Sequence, residues 1–202
     1  MSFERVDAER QMPEIVYYVA VSLDGYIATP DGGVEWLASF EAGSEDYGYE
    51  EFYAGIDAVF MGSRTYEQTL TVGAWAIGRT PCWVFSSQHG LPTRPGARIT
   101  SATPGEVVEE MAAAGIARAW LVGVGALAGS FRDAGLITRY IVSVMPVILG
   151  AGVPLLGLTV PAEGMTAASA PATRLKLVSS KAFTDGVVQL TYDSQVRNEG
   201  GA

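Results

Sequence analysis

The chain has 202 residues, 49% hydrophobic and 17% charged, which is enough apolar material to bury the core of one ordinary domain. A formal net charge of −9 without any run of Lys or Arg excludes a protein that grips nucleic acid or an anionic membrane through clustered cations. The single cysteine, Cys82, excludes a disulfide framework and Cys-based metal spacing, which fits a metal-free protein of a reducing cytoplasm.

Residues 1–12 alternate charged and polar types and read as a flexible tail, neither signal peptide nor anchor; 13–194 reads as one domain and 195–202 as a second tail. The β-branched and aromatic run 15–21 predicts a buried strand entering a turn at Ser22-Leu23-Asp24-Gly25, where Asp before Gly is what a tight turn prefers. A second turn follows at 29–33. Residues 45–53 have helical spacing, and 58–61 predicts a short strand that opens at Gly62 into a helix over 63–70. Strand, glycine, helix is the order a parallel sheet needs.

The run 81–86 predicts another strand, 103–114 a helix with Thr103 as N-cap and Glu106 as capping-box partner, and 119–122 a further strand. A glycine-broken turn leads to a helix over 126–134 and a long strand over 139–149 that ends at Gly150-Ala151-Gly152. A closing pair, 175–179 with 187–192, brackets Asp185-Gly186, and 160–173 reads as loop. The alternation early and the strands late predict an α/β fold: a mixed, mostly parallel twisted sheet with helices on both faces and an antiparallel strand near the end.

Two strand-to-helix junctions carry candidate chemistry, Met61-Gly62-Ser63-Arg64-Thr65 and Val122-Gly123-Val124-Gly125-Ala126. Each aims unpaired helix N–H groups at one edge of the sheet, where phosphate binds. A third strand ends in Phe85-Ser86-Ser87-Gln88, two hydroxyls able to donate to phosphate without a charge. Taken singly, a glycine between strand and helix is more often plain turn chemistry.

Taken together and in order, these segments resemble the dihydrofolate-reductase-like superfamily, most closely the branch related to the C-terminal reductase domain of bacterial riboflavin biosynthesis (RibD). The resemblance runs from Ile15 to about Tyr192. It is carried by residues 22–28, by 61–67, by Trp120-Leu121-Val122-Gly123, and by Ala134-Gly135-Leu136 leading to the segment 146–155. It implies a three-layer α/β fold, NADPH as cofactor, hydride transfer to a small heterocyclic (pterin- or pyrimidine-like) substrate, and a homodimer. By that resemblance Ala20 and Ile27 hold the nicotinamide carboxamide through backbone groups. Gly62, Arg64 and Thr65 face the pyrophosphate or the ribose phosphate, Ser86 and Ser87 the 2′-phosphate, and Gly123, Val124, Gly125 and Ala126 bring backbone to the pyrophosphate.

Where the family shows an arginine after the first glycine, this chain has Ser63 and moves the charge to Arg64; the family's paired glycines become Gly123-Val124-Gly125. Tyr26 stands in place of a lysine and Val122 in place of a glutamate, so the chain resembles a paralogue of the riboflavin-pathway reductase. Counting back from Gly62 places Asp46 where dihydrofolate reductases keep their acid, and Trp36 near their active-site tryptophan. These two are the candidate catalytic residues, since hydride addition to C=N is faster when the nitrogen is already positive. Tyr47 and Tyr49 are alternative pocket residues, and the neighbouring acids Glu45, Glu50 and Glu51 also suit a solvated helix face. His89 reads as a surface loop residue, Cys82 as core, and Arg174, Lys176 and Lys181 as solvated strand charges. Two other readings remain: the riboflavin-pathway or dihydrofolate reductase proper, and a non-catalytic nucleotide-binding relative.

Overall fold

In β1 (Glu14–Ser22) alternate side chains serve opposite layers, because successive Cβ atoms of a strand point to opposite faces. Ile15 and Tyr17 pack on one side with Phe60 and Leu121, and Val16 packs on the other with Val59, Met61 and Val84. The computed structural model that reveals this describes residues 12–41, 43, 45–71, 78, 80–88, 90–123, 125–157 and 172–195. The stretch 160–171, His89 and Val124 lie outside the described residues.

The other strands of the main sheet are β3 (Ala58–Gly62), β4 (Cys82–Phe85), β5 (Ala97–Thr100), β6 (Arg118–Leu121), β7 (Arg139–Met145), β9 (Leu175–Ala182) and β10 (Val188–Ser194). They lie in the order β5-β4-β3-β6-β1-β7-β10-β9. Every pairing from β5 through β7 is parallel, and β10 runs antiparallel to both of its neighbours. A separate two-stranded ladder joins β2 (Tyr26–Ala28) to β8 (Val153–Pro154). The expected α/β architecture is present.

Helices cover both faces. The short α1 (Ala38–Glu41) follows a 3₁₀ turn at Glu35–Leu37; α2 (Tyr49–Ala54) and α3 (Ser63–Thr71) bury Phe52 and Tyr66 on the Val16 side. On the Ile15 side, α4 (Pro104–Ala113) contributes Val107, Val108 and Met111, and α5 (Ala126–Asp133) contributes Ala128 and Phe131. The Phe131 ring lies 5.4 Å from that of Phe60 and 5.5 Å from that of Phe85, tying α5 to the middle of the sheet. Fully buried side chains of this size each stabilise by roughly 1.5–3 kcal/mol.

The capping box at Thr103 and Glu106 forms as the sequence predicts. Two boundaries differ. The strand expected over 139–149 stops at Met145, because Pro146 brings no N–H to the ladder and the chain turns, with Val147 N–H donating back to Met145. The helix expected from residue 45 starts at Tyr49, because Tyr47 (φ 55°) and Gly48 (φ 82°) are both left-handed. The short strands β2, β5 and β8 exist only because a partner is beside them. Among the described residues no helix is long and apolar enough to cross a membrane.

Candidate functional site

A parallel sheet presents the carboxyl ends of its strands and the amino ends of its helices on one edge. Here that edge holds a groove of about 570 Å³. Gly62, Phe85 and Thr100 close β3, β4 and β5 on its floor; Ser63, Arg64 and Thr65 enter from the first turn of α3, and Gly125, Ala126 and Leu127 from the start of α5. Ala28 of β2 and Val153 of β8 complete the wall.

The two glycine junctions therefore converge. Gly123 has φ +91°, and a Cβ built on it would overlap Thr65 Oγ1, so the backbone after β6 lies directly on the first turn of α3. No side chain caps α5, whose N-cap is Gly125, leaving its first N–H groups for a ligand. Arg64 is exposed and forms no ion pair among the described residues. Ser86 N–H donates to Thr100 O at 2.9 Å and its Oγ accepts from Gln88 N at 3.0 Å, while Ser87 is exposed. Among the described residues of the wall Arg64 is the only cation; the others supply hydroxyls, the Gln68 amide, glycine backbone and apolar side chains.

A second cavity of about 490 Å³ opens where β1 and β7 end, lined by Tyr18, Ala20, Tyr49, Trp120, Ser143 and Asp46 among others. The Tyr49 ring meets Trp120 at 5.6 Å and stacks on Tyr53 at 5.8 Å. Asp46 sits at the mouth, exposed, with its carboxylate accepting from Gly48 N at 2.9 Å and Glu50 N at 3.2 Å. Those backbone N–H groups hold its carboxyl below the usual carboxylate range, so it is an anion at neutral pH. Tyr47 O–H donates to Asp185, fastening this turn to the β9–β10 hairpin; burial and that carboxylate push the phenol up to about 12.

Of the residues picked from sequence, Gly62, Arg64, Thr65, Ser86, Ser87, Gly125 and Ala126 share the groove, and Asp46 and Ala20 share the cleft. Ile27 is buried in β2. Trp36 lines neither cavity: it packs with Met145, Phe183 and Val187, and its buried indole N–H has no acceptor among the described residues. Cys82 is buried in β4, and burial pushes its thiol up to about 12, which suits core rather than nucleophile. Sequence reasoning missed Gln68, Thr100, Ser101 and Ser130 in the groove, and Tyr18, Trp120 and Ser143 in the cleft. The alternation of the strands carried a signal for Tyr18 and Trp120, but only strand order makes β1 and β6 neighbours.

The turn after β1 is held by Asp24, whose carboxylate accepts from Ser22 Oγ (2.6 Å), Leu149 N (3.1 Å) and Gly150 N (2.7 Å). The Ser22 hydroxyl, then the two backbone N–H groups, keep its carboxyl below the ordinary range. A depressed folded-state pKa stabilises above the unfolded value, about 3.9, and the contribution is lost as pH falls through the folded one. Thermal melts should therefore drop below about pH 4, and Asp24→Asn should flatten part of that drop while lowering the melt at pH 7. Parallel pH dependence in the two proteins would refute the staple.

The fold and the two cavities define the class. Residues 13–189 match the family model of the RibD C-terminal domain. The chain belongs to that family. It is 34% identical to the uncharacterized Bacillus subtilis protein YwjB over 148 residues, covering 69% of this chain and 80% of YwjB. It is 26% identical to the uncharacterized Bacillus subtilis protein YyaP, covering 88% and 93% of the two chains. Among solved structures, a Shewanella sp. PV-4 protein named for riboflavin biosynthesis superposes with a TM-score of 0.75 at 24% identity, covering 92% of this chain and 100% of that one. The Thermotoga maritima diaminohydroxyphosphoribosylaminopyrimidine deaminase/5-amino-6-(5-phosphoribosylamino)uracil reductase superposes with a TM-score of 0.67 at 15% identity, covering 91% and 57%. These two structural likenesses concern the fold.

Proposed function

We propose that the chain is a cytoplasmic NADPH-dependent reductase that transfers a hydride to a small heterocyclic acceptor. The observation that carries this reading is the convergence of two strand-to-helix junctions, the second without a side-chain cap, in one groove with Arg64, Ser86 and Ser87. That donor set suits a pyrophosphate and a 2′-phosphate: helix N–H groups and hydroxyls take the oxygens, and one exposed guanidinium supplies charge. When bound, the cofactor supplies the hydride.

The chain's own part is positional. Gly123 and Gly125 would bring backbone to the pyrophosphate, Ala20 and Ile27 would orient the carboxamide, and Tyr49 and Trp120 would hold the acceptor and exclude water. Asp46, ionised, would favour positive charge on the acceptor nitrogen as that atom takes a proton from solvent.

NADPH should raise the melting temperature more than NADH at equal concentration. Arg64→Ala should weaken NADPH about tenfold and leave NADH nearly unchanged, the loss expected for one charge-assisted phosphate contact. Equal stabilisation by the two cofactors, or none by either, would refute the reading.

We also propose a homodimer joined through β9. All eight residues of this edge strand are exposed, with Leu177 52% and Val178 51% accessible. An edge that leaves large apolar side chains exposed favours pairing with another copy. Light scattering should give about twice the 21.3 kDa chain mass, and Leu177→Lys should reduce it to one chain. A monomeric wild type would end this proposal.

A further inference from the structure

Among the described residues Tyr47 alone combines a side chain with left-handed backbone, at φ 55°. A Cβ makes that conformation unfavourable, and it persists only where the surroundings impose it. Four contacts do so here. The Tyr47 carbonyl accepts from Tyr18 O–H at 3.1 Å and from Gln189 Nε2 at 3.0 Å, its ring meets Phe183 edge-on at 5.0 Å, and its phenol donates to Asp185. Tyr18 belongs to β1, Gln189 to β10, and Phe183 and Asp185 to the connection between β9 and β10, so elements remote in sequence hold this one turn.

The neighbours of Tyr47 on either side line the cleft. Asp46 accepts from Gly48 N at 2.9 Å and Glu50 N at 3.2 Å, bonds made across the left-handed pair Tyr47 and Gly48. Tyr49 begins α2 with its ring against Trp120 and Tyr53. Because residues 45–53 have helical spacing, right-handed backbone at Tyr47 would let the helix run back through Asp46. Glu50 N–H would then donate to Asp46 O in the helical ladder, and the Asp46 carboxylate would lose its place at the turn.

We propose that Tyr47 is a positioning residue of the cleft: fastened to Asp185, it keeps the chain broken ahead of α2 and so holds the Asp46 carboxylate and the Tyr49 ring at the cavity. It acts through Asp46. This deepens the reductase reading by naming what keeps its acid in place, and it rests on that reading only for the rate measured below.

Titration of the Asp46 carboxyl by carbon-13 NMR in the full chain follows the turn without any substrate. In the parent the Gly48 and Glu50 N–H groups hold it below the usual carboxylate range. Tyr47→Phe keeps the ring and loses only the hydroxyl; it should raise the Asp46 value toward that of an ordinary aspartate, about 3.9. Asp185→Ala should do the same, and the double variant should add nothing further, as for two ends of one contact. Removing the Asp185 charge pulls a neighbouring carboxyl downward, so a rise in that variant reports the turn. Asp185→Asn, whose amide still pairs with the phenol, should stay near the parent. In single turnover with NADPH and a pterin, Tyr47→Phe should slow hydride transfer about tenfold or more, the effect of a misplaced group, with cofactor affinity unchanged. A lower melting temperature in Tyr47→Phe with Asp46 titrating as in the parent would make Tyr47 a fold contact only and overturn the proposal. So would equal Asp46 values in Asp185→Asn and Asp185→Ala. No hydride transfer in the parent would sink the reductase reading and leave the titration to decide the positioning role.

Discussion

Replacing Gly123 by Ala is expected to lower NADPH affinity at least tenfold and the melting temperature by about 4–10 °C. Two effects add. A side chain at φ +91° is strained by on the order of 1–3 kcal/mol, and the new methyl overlaps the Thr65 hydroxyl at the start of α3. In a chain of this length 1 kcal/mol corresponds to roughly 2–4 °C. Gly115, at φ +71° beyond the end of α4 and with open space around it, separates the two effects. Gly115→Ala should lose stability through strain alone and keep full cofactor affinity. Adding Thr65→Ala to Gly123→Ala should return part of the lost stability by removing the overlapped oxygen. Indistinguishable melts and affinities for the two single variants would show that the junctions do not meet in a binding groove.

Asp46→Asn should slow hydride transfer to a pterin acceptor by about 10²- to 10⁴-fold in single turnover, with cofactor affinity hardly changed. The side chain does two things that this substitution separates. As an acceptor for Gly48 N and Glu50 N it caps α2; as an anion it raises the negative potential at the cleft mouth. Asn keeps one carbonyl oxygen for the cap and loses the charge, so its melting temperature should stay within a few degrees of the parent. Asp46→Ala loses both and should lower the melting temperature as well as the rate. Because the carboxyl titrates below its ordinary range, an acid limb of the pH–rate profile above about pH 5 would belong to another group. A wild-type rate in Asp46→Asn would leave the residue as a helix cap only.

Most of the element order was legible because each element satisfies a local rule. Residues 15–21 are apolar throughout, as a strand covered on both faces must be, and Thr103 with Glu106 announces a helix start that forms in full. The errors fall where a local rule met a stronger one nearby. Helical spacing over 45–53 was overridden by left-handed backbone at Tyr47 and Gly48, and apolar continuity past Met145 by Pro146. The groove was half legible: Gly62, Arg64, Ser86 and Gly125 advertise themselves, but Thr100 ends, and Ser101 follows, a strand too short to be noticed alone.

The cleft where β1 and β7 end was the least legible part. Ser143 and Gln189 are ordinary residues of two strands, and their hydrogen bond appears only when β10 pairs antiparallel with β7 and sets Gln189 opposite Ser143. Trp36 is marked by position in the chain; it lines neither cavity itself and packs against Met145, a residue of the cleft wall. By itself the sequence determined the layered α/β class, the turns and caps, and the glycines that let backbone approach a ligand, since all of these depend on neighbours within a few residues. Tertiary structure alone decided that Gly123 rests on Thr65, that β6 lies beside β1 so that Trp120 and Tyr18 share a wall, and that three carboxylates face one aromatic cleft. Those are contacts between positions tens of residues apart, and strand order, which brings them together, follows from the packing of the whole sheet.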